Sequence, residues 1–407
     1  MPPLAGPRAL QVSRTLSRLA RIGWPSTVVC VEPRPGGPLL RDAPGAQAFA
    51  AQGVDVARVP SAEESAWYRA ALRLAPALGR LPDRQRVWIG AATRAATAAL
   101  QRTPCNVVVS FAQPWSDHLV GLRLHRRHRL PWVAHFSDPW VDSPYVDGSP
   151  WLRSRAARME SDVVLGADGL VFVTQQTADV VMRKYPDDCR RKVHVVPHGY
   201  DRAQMPQMPQ IAAETRESPR RLRLVYTGRF YEGLRTPGPL FEALASLRRQ
   251  GRITDELELI LVGPGMSAFE PDVRRLGLGA VVSLAGRQPY AEALRAAASA
   301  DVLIVVDAPS RTPSLFLPSK LVDYLMLRKP MLGLTPQDGA SADLLRRLGA
   351  PVATPDDVPA IARAMESLVT AWRAGPLRVS DQFDAVAAEY DIERTTAALA
   401  QVLDRWA

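Results

Sequence analysis

The stretch Leu222–Arg235 reads LRLVYTGRFYEGLR and decides the fold class. Its first six residues form an apolar run typical of a buried strand, and Gly228 then lets the backbone come close to a ligand. Arg229 and Arg235 follow at a spacing of six. Ligands of open α/β sheets bind beyond the carboxyl ends of strands, and arginine forks fit phosphate oxygens. The stretch predicts a phosphate site, although two loop arginines are equally compatible with an ordinary surface.

Similar apolar runs recur along the chain, each followed by a helix-like stretch. Continuous apolar strands are typical of parallel sheets covered on both faces, and their alternation with helices predicts a doubly wound α/β architecture. The predicted strands are Thr27–Val31, Asn106–Phe111, Trp132–Ser137, Leu170–Thr174, Val193–Val196, Leu222–Thr227, Leu257–Val262, Val281–Leu284, Val302–Val306 and Met331–Leu334.

The length of 407 residues suits two such domains. Residues 201–218 contain Met-Pro-Gln-Met-Pro-Gln and no periodic apolar pattern, which is typical of a linker. We therefore predict a domain over 1–200, a second domain over 219–385, and a C-terminal helical segment over 386–407 that could cross back to the first domain.

Composition and charge exclude several classes. Hydrophobic residues make up 47% of the chain, so it is not disordered, and no apolar stretch is long enough to span a membrane. The formal net charge is +10, and almost all of the basic residues are arginine. We find no Lys/Arg block and no nucleic-acid-binding signature, and therefore predict no nucleic-acid partner. Cys30 and Cys105 fall in apolar strand-like runs and are predicted to be buried free thiols. No disulfide framework is indicated, which favours a location in the reducing cytoplasm.

The N-terminus enters a helix directly, whereas a doubly wound domain ordinarily opens with a strand. Apolar residues line one predicted helix face, with Arg14, Arg18 and Arg21 on the other and Gly23 as a cap. No apolar core of signal-peptide length is present. Our hypothesis is that the first strand of the domain is missing from this sequence.

The stretch Pro313–Tyr324 is a second candidate anion site. Pro318 is placed like the first residue of a helix, where free N–H groups and the helix dipole attract anions. Lys320 adds a positive charge, and Asp323 lies one turn further on the same face. A cation for phosphate and a carboxylate for a sugar hydroxyl suit a nucleotide, but a surface Lys–Asp pair fits the same spacing.

Two further strand ends carry polar residues. His135 and Ser137 share a strand face, and Asp138 follows at its tip, so this group could handle a hydroxyl proton. A core histidine and a turn-capping aspartate are the alternatives. Gly286 and Arg287 follow another strand, where a nucleotide base could lie.

We expect no metal, because no cluster of metal-ligating residues is apparent.

At these residues the chain resembles the bacterial GT-B glycosyltransferases of the retaining family four. The most specific match is Leu317–Tyr324, LPSKLVDY, with further matches at Trp132–Trp140, Val196–Asp201, Thr227–Arg235 and Ala300–Leu303. The resemblance implies a GT-B fold of two Rossmann-like domains with an interdomain cleft. It implies a nucleotide-sugar donor held by the C-terminal domain and an acceptor offered by the N-terminal domain.

Carried over by position, Arg229 and Arg235 match the basic pair that holds the donor diphosphate, and Ser319 and Lys320 match the residues near phosphate at a helix start. Asp323 matches the second acid of the family's Glu-seven-residues-Glu motif. The first acid falls at position 315, where this chain has leucine. The glycine-rich loop of the family survives only as Ala-Gly-Pro at 5–7.

The resemblance implies metal-independent glycosyl transfer with retention, from a UDP- or GDP-type sugar to a glycan or lipid-linked acceptor, in cell-surface polysaccharide or glycolipid synthesis. No cofactor is expected, and the implied catalytic residues are His135, Asp138 and Arg229. Two alternatives remain: a catalytically degenerate nucleotide-binding protein, or a GT-B relative such as a nucleotide-sugar epimerase.

The Trp67–Leu100 stretch mixes aromatic residues with arginines. This composition suits peripheral docking on an anionic membrane at the cytoplasmic face. A helical hairpin that covers the sheet and carries arginines on its surface is the alternative.

Overall fold

The computed structural model of the protein describes residues 6–32, 54–63, 65–143, 149–205, 221–310 and 313–406. The chain divides into two compact units. Met1–Gly199 and Ile392–Ala407 form the first unit, and Tyr200–Asp391 forms the second. Of the predicted 386–407 segment, residues 386–391 therefore belong to the second unit and the remainder to the first. Most of the predicted linker lies outside the described residues.

The first unit contains parallel strands and the helices that cover them. Strands β3 to β6 form one sheet in the order β3-β4-β5-β6, and β1 pairs with β2 in a second sheet. The strands are β1 (Thr27–Val31), β2 (Asp55–Val59), β3 (Val108–Ala112), β4 (Trp132–Phe136), β5 (Gly169–Phe172) and β6 (Val193–Val195). The helices are α1 (Pro7–Arg21), α2 (Ala66–Leu74), α3 (Ile89–Arg102), α4 (Ser116–His128), α5 (Pro150–Gly166), α6 (Gln175–Met182) and the C-terminal helix Ile392–Leu403.

Helix α1 and the C-terminal helix pack on one face of the first unit's sheet. Val12, Leu16 and Leu19 of α1 are buried there with Leu399 and Leu403. The chain leaves α1 through Gly23, whose φ of +92° suits glycine. The helix was thus predicted correctly, but Arg14 is buried rather than on the exposed face. Residues 1–5 lie outside the described chain, so the hypothesis of a missing strand stays a prediction.

The second unit is one six-stranded parallel sheet in the order β12-β11-β10-β7-β8-β9. Its strands are β7 (Leu222–Thr227), β8 (Leu257–Val262), β9 (Val282–Ala285), β10 (Val302–Val306), β11 (Met331–Leu334) and β12 (Val352–Ala353). Its helices are α7 (Gly238–Arg249), α8 (Glu270–Arg275), α9 (Tyr290–Ala298), α10 (Ser319–Leu325), α11 (Ala340–Arg347), α12 (Val358–Ala374) and α13 (Phe383–Ala388). The C-terminal helix Ile392–Leu403 of the first unit is numbered α14. Two apolar clusters cover its faces.

The ten predicted strands are all present, with ends shifted by at most two residues. The missed strands are β2 and β12. β2 carries Asp55 and Arg58 and so lacks an apolar run, and β12 has only two residues. The prediction for Cys105 was wrong, because Cys105 is exposed and precedes β3, whereas Cys30 is buried in β1.

Candidate functional site

The strand order of the second unit defines where a ligand would bind. The chain proceeds outward from β7 through β8 to β9, and then returns to β10 on the other side of β7. The order therefore reverses between β7 and β10, and ligands of open α/β sheets bind at such a switch point, beyond the carboxyl ends of the strands. The Gly228–Arg235 loop follows β7, and Asp307 follows β10.

Glycine at two positions lets the backbone loops after β7 and β8 approach each other. A Cβ on Gly263 would lie 1.8 Å from the carbonyl oxygen of Gly228. A Cβ on Gly228, which has a φ of +134°, would lie 2.6 Å from Lys320 Nζ. Any side chain at either position would displace backbone or the lysine head group. Gly228 therefore keeps the space around the ammonium group of Lys320 open.

Lys320 projects from the first turn of α10 toward the end of β7. Tyr324 on the same helix anchors this approach, since its hydroxyl lies 2.9 Å from the backbone N of Thr227, which donates to it. Lys320 Nζ lies 3.7 Å from the centroid of the Tyr226 ring, buried and without a hydrogen-bond partner. Burial, followed by the nearby charge of Arg235, holds the lysine pKa well below its usual value. A buried ammonium without a hydrogen-bond partner is costly, and such perturbed groups are common at functional sites.

The two arginines of the β7 loop differ in their surroundings. Arg235 is half-buried and donates to the carbonyl oxygens of Val306 (3.2 Å) and Arg229 (2.6 Å), while its buried Nε has no partner. Its guanidinium carbon lies 5.1 Å from the centroid of the Tyr231 ring. Arg229 is exposed. Arg235 is thus held in the loop by hydrogen bonds, whereas the side chain of Arg229 is exposed to solvent.

Asp307 completes this cluster of charged groups. It is 5% exposed, and its Oδ2 is buried without a hydrogen-bond partner. Burial raises its pKa, which a hydrogen bond with Ser341 and the charges of Arg235 and Lys320 partly offset. Three buried polar atoms without partners therefore lie at one switch point: Lys320 Nζ, Arg235 Nε and Asp307 Oδ2. Asp307 was not among the residues predicted from the sequence, although it lies directly after β10, where ligands of such sheets bind.

The remaining residues of the predicted donor site lie around these groups. Asp323 is buried on α10, and Ser319 is the first residue of that helix. Pro318 immediately precedes the helix, so the prediction that it starts the helix was wrong by one position. Gly286 and Arg287 are exposed after β9, and a Cβ on Gly286 would meet nothing within 4 Å.

In the first unit, His135 and Asp138 lie at the carboxyl end of β4. His135 is 5% exposed, and burial holds its pKa well below the usual value, so the ring is neutral. Asp138 accepts hydrogen bonds from Ser137 Oγ and Gln113 Nε2, both at 3.3 Å, and burial raises its pKa. The carboxylate of Asp138 is a group able to accept a proton.

His135 lies close to two residues, Arg8 and His198, that were not predicted from the sequence as site residues. Arg8, on the first turn of α1, donates to the carbonyl oxygen of Ala112. Its Nη2 also lies 3.4 Å from His135 Nδ1, and its Nη1 lies 3.4 Å from His198 Nε2. His198 is buried, and the centroid of its ring lies 5.8 Å from that of the His135 ring. No local sequence signal identifies Arg8, because its partners lie 104 to 190 positions away.

Other features of the described residues limit the possible sites. No three or more of their His, Cys, Asp and Glu side chains come together in a way that could hold a metal ion. None of the described helices has the length and apolar character that crossing a membrane requires.

Comparison with solved structures reveals whole-chain likeness. Anabaena HepE in complex with UDP-glucose gives a TM-score of 0.67 at 14% identity, covering 99% of this chain and 97% of that one. Sucrose-phosphate synthase from Thermosynechococcus elongatus gives 0.69 at 16% identity, with 98% and 94% covered. The E. coli trehalose-6-phosphate protein bound with UDP-2-fluoro glucose gives 0.65 at 13% identity, with 100% and 97% covered. The chain has the GT-B fold.

The sequence of this GT-B protein also carries a family signature. Residues 46–204 match the family model Glyco_transf_4, described as Glycosyltransferase Family 4. A search of curated protein sequences finds no match. The resemblance to GT-B proteins indicated by the motifs is therefore confirmed at the level of the fold, and the match to the family model covers residues 46–204.

Proposed function

We propose that this GT-B protein is a retaining glycosyltransferase that moves a sugar from a UDP- or GDP-type donor to a glycan or lipid-linked acceptor. The observation that carries the proposal is the set of three buried polar atoms without partners at the switch point of the second unit: Lys320 Nζ, Arg235 Nε and Asp307 Oδ2. Buried polar groups are ordinarily hydrogen-bonded. A nucleotide-sugar supplies an anion and hydroxyl groups together, which is what these atoms lack.

The two kinds of unpaired group suit different parts of the donor. Lys320 and the Arg235 guanidinium would hold the diphosphate, with the exposed Arg229 closing on it from the same loop. The open oxygen of Asp307 would accept a hydrogen bond from a donor hydroxyl. Position 315 holds leucine and offers no carboxylate. In this proposal the carboxylate for the donor is Asp307, which follows β10.

The relatives support this choice of donor. HepE is described in complex with UDP, with UDP and glucose, and with UDP-glucose, and the E. coli relative is bound with UDP-2-fluoro glucose. The shared fold makes a nucleotide-sugar the first ligand to test on this chain. UDP-type donors are preferred on this ground, and GDP-type donors are included in the same test.

In the proposed reaction, the acceptor oxygen attacks the anomeric carbon on the face from which the diphosphate departs. The bond from that carbon to the diphosphate oxygen breaks, and the acceptor's proton passes to the leaving diphosphate. Arg229, Arg235 and Lys320 stabilise the growing negative charge on the diphosphate. This mechanism requires no metal, and undiminished turnover in the presence of EDTA is the expected result.

The proposed acceptor class agrees with one exposed surface of the first unit. The α2 surface consists of the exposed side chains Trp67, Arg69, Arg73, Leu74 and Arg80. Trp67 is 62% exposed and Leu74 89%, and the segment from Trp67 to Arg80 contains no acidic residue. Exposed apolar groups among arginines suit the headgroup region of an anionic membrane. We propose that this surface holds the protein at the cytoplasmic face of such a membrane, near a lipid-linked acceptor.

A thermal-shift panel with UDP, GDP, ADP, CDP and dTDP tests the donor site. A ligand at one hundred times its dissociation constant should stabilise the native state by about 2.7 kcal/mol. A shift with UDP or GDP that Lys320→Met abolishes is expected. Binding without release of sugar from any donor would favour a degenerate nucleotide-binding protein, which the leucine at position 315 makes the second candidate. No shift with any nucleotide would contradict the proposed site.

A further inference from the structure

Arg8 is a cation surrounded by neutral partners. Its guanidinium contacts the carbonyl oxygen of Ala112 and the rings of His135 and His198, and it lies 5.7 Å from the centroid of the Phe111 ring. Its Nε is buried and has no hydrogen-bond partner. Burial lowers its pKa to about 10, so it is still fully charged at neutral pH. None of these hydrogen-bond and ring contacts supplies a negative charge to the guanidinium.

The nearby acidic groups act on this charge through space and are not hydrogen-bonded to the guanidinium. Asp117 on α4 has its pKa raised to about 8, first by burial and then by Asp83, so it is mostly protonated at pH 7. Asp138 directs its carboxylate to Ser137 and Gln113. Both carboxyl groups favour the charged form of Arg8 only at longer range.

Arg8 also determines how the two imidazoles can act. A guanidinium donates hydrogen bonds and accepts none, so His135 Nδ1 and His198 Nε2 must be the acceptors. Burial keeps both rings neutral, with their pKa values well below the usual one. The ring protons therefore lie on His135 Nε2 and His198 Nδ1, where they can be donated to another group.

The first turn of α1 adds donors at the same edge of the sheet. Arg8 belongs to that turn, Gly6 precedes the helix without a side-chain cap, and the turn contains no acidic residue. The N-terminus of a helix of this length favours an anion. The N–H groups, the arginine and the two imidazoles together offer donors from several directions, which suits the three oxygens of a phosphate group better than the two of a carboxylate.

We propose that Arg8, His135 and His198 form a phosphate-binding subsite at the carboxyl edge of the first unit's sheet, and that the acceptor of this protein carries a phosphate group. The subsite belongs to a different unit from the donor cluster. The assignment of its ligand to the acceptor rests on the proposed glycosyltransferase function, whereas the binding of phosphate does not.

The test is calorimetric titration of the full chain with glycerol 3-phosphate at constant ionic strength, with acetate as the carboxylate comparison. Arg8→Gln should weaken binding at least tenfold, and Arg8→Lys should weaken it less, because the charge remains while the fork is lost. Arg21→Gln, at the exposed far end of the same helix, is the matched control and should bind like the wild type. Lys320→Met should also leave this binding unchanged.

Melting curves identify variants that fail to fold. If Arg8→Gln is unfolded, the affinity for glycerol 3-phosphate is measured on Arg8→Lys and His198→Phe instead. Unchanged affinity in the folded Arg8 variants, or loss of phosphate binding in Lys320→Met, would overturn the subsite. Equal binding of acetate would overturn the choice of phosphate.

A parallel UDP titration separates this inference from the proposed function. Arg8→Gln should bind UDP like the wild type. Failure of the wild type to bind any nucleotide would remove the proposed function but leave Arg8-dependent phosphate binding in place. Vesicles of phosphatidylcholine with and without phosphatidic acid distinguish the source of the phosphate. Arg8-dependent retention on the phosphatidic acid vesicles indicates a lipid phosphate, and Arg8-dependent binding of glycerol 3-phosphate alone indicates a soluble phosphorylated acceptor.

Discussion

Lys320 Nζ lies 3.7 Å from the centroid of the Tyr226 ring, so an ammonium group at the start of α10 rests on the face of a ring from β7. The ring attracts the cation through its quadrupole, but this contact alone leaves the ammonium without a hydrogen bond. Tyr226 is fixed in turn, because its hydroxyl donates to the carbonyl oxygen of Arg229 at 3.0 Å. The aromatic ring thus positions a cation that has no hydrogen-bond partner among the described residues.

Replacing Lys320 should separate binding from stability. Lys320→Met removes an unpaired buried charge, so we expect the free energy of unfolding to stay unchanged or to rise by about 1 kcal/mol. The same change should weaken UDP binding by about 30-fold, equivalent to about 2 kcal/mol for a charge-assisted hydrogen bond. Thermal melts and calorimetric titration of one preparation measure both effects.

Lys329→Met is the matched control for this variant. Lys329 lies just before β11, at the amino edge of the same sheet, so its loss should not change UDP affinity. A less stable Lys320→Met protein with wild-type affinity for UDP would show that the lysine supports the fold rather than a ligand.

Arg229 should matter for turnover. Arg229→Ala removes a cation that we place on the leaving diphosphate, and the loss of one such charge-stabilising donor costs about 10²-fold in turnover. Release of UDP from a UDP-sugar donor measures this. Arg249→Ala removes an exposed arginine at the far end of α7 and should have no effect. If Arg229→Ala turns over at the wild-type rate, Arg229 has no place in the site.

Asp117 should make stability depend on pH. Its pKa is raised to about 8 in the folded chain from 3.8, so the folded state holds a proton that the unfolded state has lost between these values. The free energy of unfolding should therefore fall as pH rises through this window, by at most about 1.4 kcal/mol per pH unit from this group. Asp117→Asn should flatten that slope in denaturant titrations from pH 5 to 8.

The neighbouring charges define the control for this prediction. Asp83 also has a raised pKa, and it accepts a hydrogen bond from the backbone N of Ser116 at 2.9 Å. Asp83→Ala removes this acceptor and should destabilise the chain. Because the charge of Asp83 helps to raise the pKa of Asp117, this variant should reduce the pH slope without abolishing it. An unchanged pH slope in Asp117→Asn would show that Asp117 titrates normally.

Gly263 should be far less tolerant than Gly265. Gly263→Ala would place a Cβ 1.8 Å from the carbonyl oxygen of Gly228, so we expect a loss of about 3 kcal/mol or more in stability and weaker UDP binding. Gly265→Ala meets nothing within 4 Å and should cost about 1 kcal/mol, from its φ of +78° alone. Chemical denaturation compares the two variants. Equal costs would show that the loops after β7 and β8 are not in close contact.

The α2 surface should bind anionic vesicles. Trp67→Ala with Leu74→Ala removes its apolar anchors, and we expect at least a tenfold loss of partitioning onto phosphatidylglycerol vesicles in a sedimentation assay, because exposed apolar groups drive interfacial insertion. Trp151→Ala, an exposed tryptophan on α5, is the control. A wild-type protein that stays off anionic vesicles at low salt would contradict membrane docking.

The strands could be predicted because each carries its own signal. Val302–Val306 is apolar throughout, and the strand is buried throughout. β2 was not predicted, because Asp55 and Arg58 interrupt its short apolar run. Its pairing with β1 depends on the tertiary structure and leaves no local signal in the sequence. The same limit explains why the Lys320–Asp323 spacing could not tell a surface pair from a site. Only the packing of Tyr226 and Gly228 around the lysine shows that its head group is buried.

Local patterns of residues are enough to predict the alternating architecture, the resemblance to GT-B glycosyltransferases, and the strand-end positions of Arg229, Arg235 and His135. These follow from local patterns, since apolar runs, glycines and charges act within a few residues of one another. The tertiary structure decided which charged groups lack a partner. The surroundings of Arg8 and Asp307 could not be predicted, because burial and hydrogen bonding depend on residues far apart in the chain.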